Sequence, residues 1–169
     1  MTVDCETLLL REAEERDLPR ITEIYNQSVL SSTATFDLVE EKLEARQRWF
    51  QEHQKDGLPI FVIEKDSSIV GWASLSYYHS RCAYRQTVEP SIYIDASYRK
   101  HGYGKQLMNR LMTAAAENGY HAIVALVCSE NDASIKLAQV YGFEQVGRLK
   151  EVGYKFDRWL DVSILQKVL

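Results

Sequence analysis

A proline lies inside what otherwise reads as a strand, Thr87-Val-Glu-Pro-Ser-Ile-Tyr-Ile-Asp95. Proline has no N–H to give a ladder, so Pro90 marks an edge, a bulge or a place where a sheet opens. Residues 7–11 also read as a strand. Pro59 opens another, Ile60–Glu64, and Lys65-Asp-Ser-Ser supplies turn chemistry before a strand from Ile69 to Tyr78, giving a hairpin. Asp17 offers an N-cap with Pro19 in the first turn of a helix carrying Ile21, Ile24, Tyr25 and Ser28. A second helix is expected over 39–54, with Leu43, Gln47 and Phe50 on one face. After Pro90 a strong helix runs from Gly102 to Asn118, with Leu107, Leu111 and Ala115 stacked and Gly119 as its stop. A strand His121–Cys128, a helix Asp132–Val140 and strands Phe143–Leu149 and Leu160–Leu165 complete the pattern. Strands form a meander first and then alternate with helices, which predicts an α/β (α+β) fold with a mixed sheet. No linker or repeat divides residues 1–169, so one domain is expected.

Composition enters by exclusion. Lys and Arg number 20 against 24 Asp and Glu, a net charge of −4 that argues against nucleic-acid or membrane-surface partners. No apolar run reaches the roughly 18–20 residues of a membrane span, and Met1-Thr-Val-Asp-Cys-Glu6 lacks a charged-then-apolar signal pattern. Cys5, Cys82 and Cys128 are odd in number and far apart, so ordinary thiols in a reducing cytoplasm are expected rather than a disulfide framework. His53, His79, His101 and His121 show no metal-ligand spacing, and no metal site is expected. Met108 and Met112, at helical spacing, read as core.

The richest segment is Tyr98-Arg-Lys-His-Gly-Tyr-Gly-Lys105, between a strand and a helix. A helix start presents unpaired N–H groups and a positive dipole end, and so prefers anions. Arg99, Lys100 and Lys105, with His101 between them, bring cations to that end. Without a ligand they oppose the dipole; with a phosphate every group points the right way. Gly102 and Gly104 let the backbone approach closely. The alternative is a basic surface turn capping a helix. Two common nucleotide signatures fail: Gly104-Lys105 is followed by Gln106, not Ser or Thr, and Leu107 stands where a dinucleotide fingerprint needs a small residue.

Arg99-x-x-Gly102-x-Gly104 after Ile92-Tyr-Ile-Asp95 resembles the acyl-CoA signature of the GNAT acetyltransferases, and Ser129-Glu-Asn-Asp-Ala-Ser-Ile135 with Tyr141-Gly-Phe143 resembles the superfamily's next motif. Ser32-Thr-Ala-Thr-Phe36, Arg81-Cys-Ala-Tyr-Arg-Gln-Thr-Val-Glu89 and Val152-Gly-Tyr-Lys-Phe-Asp-Arg-Trp-Leu-Asp161 are similar to hallmarks of the phosphinothricin and methionine-sulfone acetyltransferase branch, covering nearly the whole chain. The resemblance implies a GNAT fold, its central mixed sheet opened at a bulge and flanked by helices. It implies acetyl-CoA as cosubstrate, with the backbone of Ile92, Tyr93 and Ile94 pairing with the pantetheine arm. Lys100, His101, Gly102, Tyr103, Gly104 and Lys105, with Arg99, would hold the pyrophosphate, and Asn131 would contact the far side. The Ile94 N–H is a reasonable donor to the thioester carbonyl.

The implied reaction is attack of an amine on that thioester. An amine of pKa about 8–10 is mostly protonated at pH 7, so a base helps, and Glu89 matches the branch's general base. Where relatives carry a tyrosine or histidine acid, this chain has Ala138, and Tyr141 is expected in the core. By the same resemblance His79, Ser80, Arg81 and Tyr84, with Glu89, Pro90 and Ser91, meet an amino-acid substrate; a guanidinium suits a carboxylate or phosphinate. Thr33 and Phe36 match a segment lining the substrate cleft. Residues 154–159 shape that cleft and approach a second subunit, implying a homodimer, and Asp157 replaces the usual glycine there. The expected function is N-acetylation of a small amino-acid analogue. Rivals are acetylation of a protein N-terminus or other small amine, and a CoA-binding sensor without catalysis.

Overall fold

The computed structural model describes residues 7–169, and the expectations for Cys5 and the first six residues lie outside the described residues. Seven strands, β1 (Leu8–Glu12), β2 (Ile60–Lys65), β3 (Ser68–Tyr77), β4 (Thr87–Ile94), β5 (Ala122–Cys128), β6 (Glu144–Lys155) and β7 (Arg158–Val168), form one sheet in the order β1-β2-β3-β4-β5-β7-β6. Helices α1 (Leu18–Ser31), α2 (Leu43–Asp56), α3 (Tyr103–Glu117) and α4 (Asp132–Val140) flank it. Leu107, Leu111, Ala114 and Ala115 of α3 pack with Phe61, Ile63, Leu75, Val88 and Ile123 on one face. Ile21 and Ile24 of α1, with Trp49 and Phe50 of α2, cover Val62, Ile69 and Trp72 on the other. The mixed sheet expected from the sequence is present: β4 and β5 run parallel and every other pair is antiparallel.

The opening in the sheet has a definite side. β3 and β4 stay in register from Gly71↔Ile94 to Tyr77↔Val88, straight past Leu75↔Pro90, so the bulge expected at the proline does not interrupt this ladder. Parallel pairing of β4 with β5 stops after Thr87↔Ala122 and Val88↔Ile123. The phase of the strand explains both facts. Asp95 N–H donates to Val70 O at 2.9 Å and Thr87 O accepts from Tyr78 N–H at 3.2 Å, so odd-numbered backbone groups face β3. Even-numbered groups, those of Pro90, Ile92 and Ile94, therefore face the β5 side, because backbone groups alternate along a strand. Proline's missing N–H falls in the gap and costs the β3 ladder nothing.

Several local expectations are corrected. Asp17 occupies the N-cap position of α1 but makes no side-chain cap bond. Its carboxylate instead accepts from Arg11 Nη1 at 2.7 Å and Glu14 N–H at 2.7 Å. Helix α2 starts at Leu43, because residue 41 is tied back to α1: Asn26 Nδ2 donates to Glu41 O at 3.0 Å and Asn26 Oδ1 accepts Glu41 N–H at 2.8 Å. Its buried face carries Arg46 and His53 rather than Leu43, which is exposed. Arg46 is ion-paired to Glu41 and lies 4.7, 4.6 and 5.1 Å from the ring centres of Tyr25, Trp49 and Trp72, so cation–π contacts offset its desolvation. Strands β6 and β7 extend well beyond Phe143–Leu149 and Leu160–Leu165. β6 continues through an irregularity between Leu149 and Gly153, and the hairpin turns at Phe156 and Asp157, both at positive φ (54° and 56°). Such a pair of left-handed residues is the tight turn that matches strand twist.

Candidate active site

Two adjoining cavities of about 440 and 540 Å³ occupy the gap between β4 and β5. Thr33, Ala34, Ile92, Tyr93, Asn131 and Ser134 are among the residues shared by both walls, so the cavities form one cleft. At the first end stand Glu89, Pro90, Ser91, Thr35, Phe36, Leu126 and Val152. At the second stand Ile94, Arg99, Lys100, Gly102, Tyr103 and Gly104.

The second end is built by the turn after β4. Asp95 is buried and accepts Ser97 N–H at 2.8 Å, Arg20 Nη2 at 2.6 Å and Gln27 Nε2 at 2.9 Å, which fixes the strand end to α1. The chain then turns through Lys100 (φ 66°) and Gly102 (φ 83°) into α3. The Gly102 conformation is one that a Cβ disfavours. The carbonyl of Gly102 already accepts Lys105 N–H and Gln106 N–H at 3.1 and 3.2 Å. The amides of Tyr103 and Gly104 lead the helix, where a dipole and unpaired donors favour an anion. Arg99 and Lys100 bring their charges to this wall. His101 does not: its Nδ1 lies 2.8 Å from Arg99 O and its ring stacks on Tyr103, which makes it a brace for the turn. Lys105 is outside the wall too, and its carbonyl accepts the Tyr141 hydroxyl at 2.7 Å. Tyr141 otherwise packs against the core as expected.

Asn131 caps α4, its side chain accepting Ser134 N–H at 3.2 Å, and both residues face the cleft. Ser134 and Leu137 were not singled out in the sequence, although Ser134 lies within the Ser129–Ile135 motif. Ala138, buried at 2% exposure, lies in the wall, so the position where the family resemblance implied an acid faces the cleft and offers only a methyl group. Met108 is buried as expected and also forms part of the wall.

Glu89 stands where the gap begins. Burial pushes its carboxyl pKa above the ordinary 4.5, partly countered by a hydrogen bond from Leu126 N–H across on β5. Among the described residues it is the one charged side chain in the wall of the first cavity. Behind it, Trp72 and Tyr93 stack with centroids 5.0 Å apart, and burial raises the Tyr93 phenol to about 12, keeping it neutral. A partly desolvated carboxylate beside open backbone amides can take a proton and position a carbonyl.

The remaining expected substrate residues lie elsewhere. Thr33, Phe36, Pro90 and Ser91 line the first cavity, but His79, Ser80, Arg81 and Tyr84 do not. They belong to an exposed loop between β3 and β4 that packs on itself. His79 Nδ1 accepts Arg81 N–H at 3.1 Å, and Tyr84 meets His79 and Tyr78 with centroids 4.9 and 5.9 Å apart.

The family model described as acetyltransferase (GNAT) domain matches residues 10–164. The chain is 35% identical over 159 residues to the L-methionine sulfoximine/L-methionine sulfone acetyltransferase of Salmonella typhimurium, covering 94% of this chain and 93% of that protein. It superposes with TM-score 0.94 and 34% identity on a GNAT superfamily phosphinothricin acetyltransferase from Sinorhizobium meliloti in complex with AcCoA, covering 96% and 89% of the two chains. A ribosomal-protein-alanine N-acetyltransferase from Brucella melitensis gives TM-score 0.93 at 37% identity, covering 95% and 99%.

Proposed function

This chain belongs to the GNAT acetyltransferase family, and on that premise we propose that it moves acetyl from acetyl-CoA to the α-amine of a small amino-acid analogue. Phosphinothricin, methionine sulfone and methionine sulfoximine are the acceptors of choice. One observation carries the reading: a single cleft runs from the cationic, amide-bearing start of α3 to the half-buried carboxylate of Glu89, along backbone that β5 leaves unpaired.

Acetyl-CoA supplies the activated acyl group; the chain supplies position and charge. Arg99, Lys100 and the amides of Tyr103 and Gly104 face the diphosphate, and Asn131 borders the arm. Lys105 and His101 contribute through the field and the turn. The gap-facing groups of Ile92 and Ile94 match an amide-bearing arm, which needs donors and acceptors on one strand edge. Ile92 and Ile94 share the gap-facing phase, and distance favours Ile92 as the thioester's donor. At about 3.3 Å per residue, Ile92 lies roughly 10 Å along the strand from Glu89 and Ile94 roughly 17 Å. A carboxylate and an oxyanion donor must both reach one reacting centre, and the shorter span allows it with the side chain extended.

Glu89 takes a proton from the acceptor's ammonium, directly or through water, which frees the neutral amine to attack the thioester carbonyl; its raised pKa moves it toward that of the proton's donor. Collapse of the tetrahedral intermediate expels a thiolate of pKa about 8.5. With alanine at 138, its proton comes from solvent or from the intermediate's own ammonium. Arg81 is read as the carboxylate partner of the acceptor. Among the described residues no cation stands in the first cavity's wall, and Leu149, Val152, Tyr154, Phe156 and Trp159 form an exposed apolar surface beside it. Both features support a homodimer in which a second copy adjoins the acceptor end. The whole chain is taken as one catalytic domain. Free Cys82 and Cys128 support a cytoplasmic setting.

Thiol release from acetyl-CoA across an amine panel tests the proposal. Rapid release with methionine sulfone is expected. Release only with peptides would favour a protein N-terminus as acceptor, and tight CoA binding with no release on any amine would favour a sensor.

A further inference from the structure

β6 departs from the β7 register between Leu149 and Gly153, leaving Lys150, Glu151 and Val152 opposite Asp161 alone. Glu151 takes φ 52° and donates its N–H to Asp161 Oδ1 at 2.8 Å, which holds the irregularity in shape. Its effect is felt at the cleft. Val152 joins the wall of the first cavity, and Gly153 comes to lie directly under Phe36. A Cβ on Gly153 would stand 2.1 Å from Phe36 Cε2 and 2.6 Å from Cδ2, so the ring rests on bare backbone. No side chain larger than hydrogen fits beneath it.

Two residues further, on the same face of the strand, Lys155 is buried to 3% exposure. Its ammonium donates to Thr35 O at 2.8 Å, joining β6 to the loop between α1 and α2. Burial lowers its pKa, opposed by the charge of Asp37. Thr35 is held from the other side, its Oγ1 sharing a 2.8 Å hydrogen bond with Tyr25 OH. That hydroxyl also donates to Asp37 at 2.5 Å. An apolar side chain would meet less desolvation cost at position 155. The buried ammonium makes sense as an anchor for one carbonyl of the loop that roofs the cleft.

We propose that Gly153 and Lys155 set acceptor specificity: together they hold Phe36 flat against β6, so that the first cavity keeps room for an acceptor side chain longer than that of alanine. The inference rests on the acetyltransferase reading above, and it assigns the two residues a positioning role rather than contact with reacting atoms.

The test compares kcat/KM for methionine sulfone with that for alanine, alongside acetyl-CoA affinity by calorimetry. In Gly153→Ala the new methyl displaces the Phe36 ring toward the cavity it lines. The selectivity ratio should fall roughly ten- to hundredfold, the scale of a lost methylene-sized space, with cofactor Kd within about twofold of wild type. Lys155→Met should raise KM for methionine sulfone more than it lowers kcat. Adding Phe36→Leu to Gly153→Ala makes room for the methyl and should recover most of the ratio, which a merely damaged fold would not do. An equal loss for both acceptors, or no recovery in the double variant, overturns the inference. Wild-type thiol release separates the two readings. Release by wild type with an unchanged ratio in Gly153→Ala refutes the role of position 153 alone, whereas no release from wild type on any amine refutes the function itself.

Discussion

Glu89→Gln separates the base from the shape it occupies. Glutamine keeps the length of the side chain and a carbonyl to accept Leu126 N–H, but cannot take a proton. A positioned general base contributes about 10²–10⁴ in rate, or roughly 3–5 kcal/mol of barrier. The acceptor narrows that range. An amine of pKa about 9 is about 1% neutral at pH 7, so removing the base should lower turnover about a hundredfold there. The loss should shrink to within about tenfold at pH 9, where the amine deprotonates unaided. The variant's kcat should therefore rise with unit slope below about pH 8 while the wild type stays flat above the Glu89 pKa. Stability gives the control. Burial raises this carboxyl above 4.5, so its contribution to stability is full below 4.5 and is lost as pH rises through the folded value. The variant should then melt at or above wild type at pH 8, with the two converging below pH 4.5. Unchanged turnover at neutral pH, or profiles parallel in pH, would remove Glu89 from the chemistry. A variant melting several degrees lower at pH 8 would make it a structural acceptor instead.

Charge reversal at Arg99 and Lys105 should weaken acetyl-CoA binding by about tenfold or more at low salt, with the larger effect at Arg99, whose position is in the cleft wall; calorimetry at two ionic strengths checks it. Asp95→Asn should destabilise the fold by about 1.5–3 kcal/mol at pH 7, the scale of hydrogen bonds to a buried charge. Although burial alone would raise Asp95, bonds from Gln27, Ser97 N–H and Arg20 hold its pKa below 3.8, so the difference from wild type should close as pH falls below that value in thermal melts. Asp157→Gly, relieving a left-handed non-glycine residue in the β6–β7 turn, should raise stability by about 0.5–1 kcal/mol, read from urea midpoints.

What the sequence made legible was whatever depends on residues close together in the chain. The 98–105 turn, the helix over Asp132–Val140 and the α3 stripe each declare themselves within a dozen residues, and each stands where the pattern put it. The β6–β7 hairpin does not. The strand expected over Phe143–Leu149 runs on through Lys150 and Glu151: the irregularity absorbs the extra residues, and Asp161 accepts Glu151 N–H. Its turn is equally hidden, since Phe156 and Asp157 adopt a conformation usually signalled by glycine. The loop bearing Arg81 is a different case. The family resemblance implied a place at the acceptor, and within one copy of the chain its aromatic side chains pack on one another outside the cavity wall.

Pro90 shows how much a single residue can carry once its phase is known. A proline at 89 or 91 would remove a donor from the intact β3 ladder; at 90 it removes one from the side that β5 abandons. The odd–even alternation therefore turns a general statement, that the sheet cannot be fully paired here, into a specific one about which edge is open. Open donors and acceptors inside a sheet need partners, because buried backbone groups are rarely left unpaired. The same edge bears Ile92 and Ile94, faces a cleft, and ends at a cationic helix start. A ligand with its own peptide-like groups and a terminal diphosphate satisfies all three at once. A surface turn that merely caps a helix accounts for the glycines, but not for the open edge leading away from it to a half-buried carboxylate.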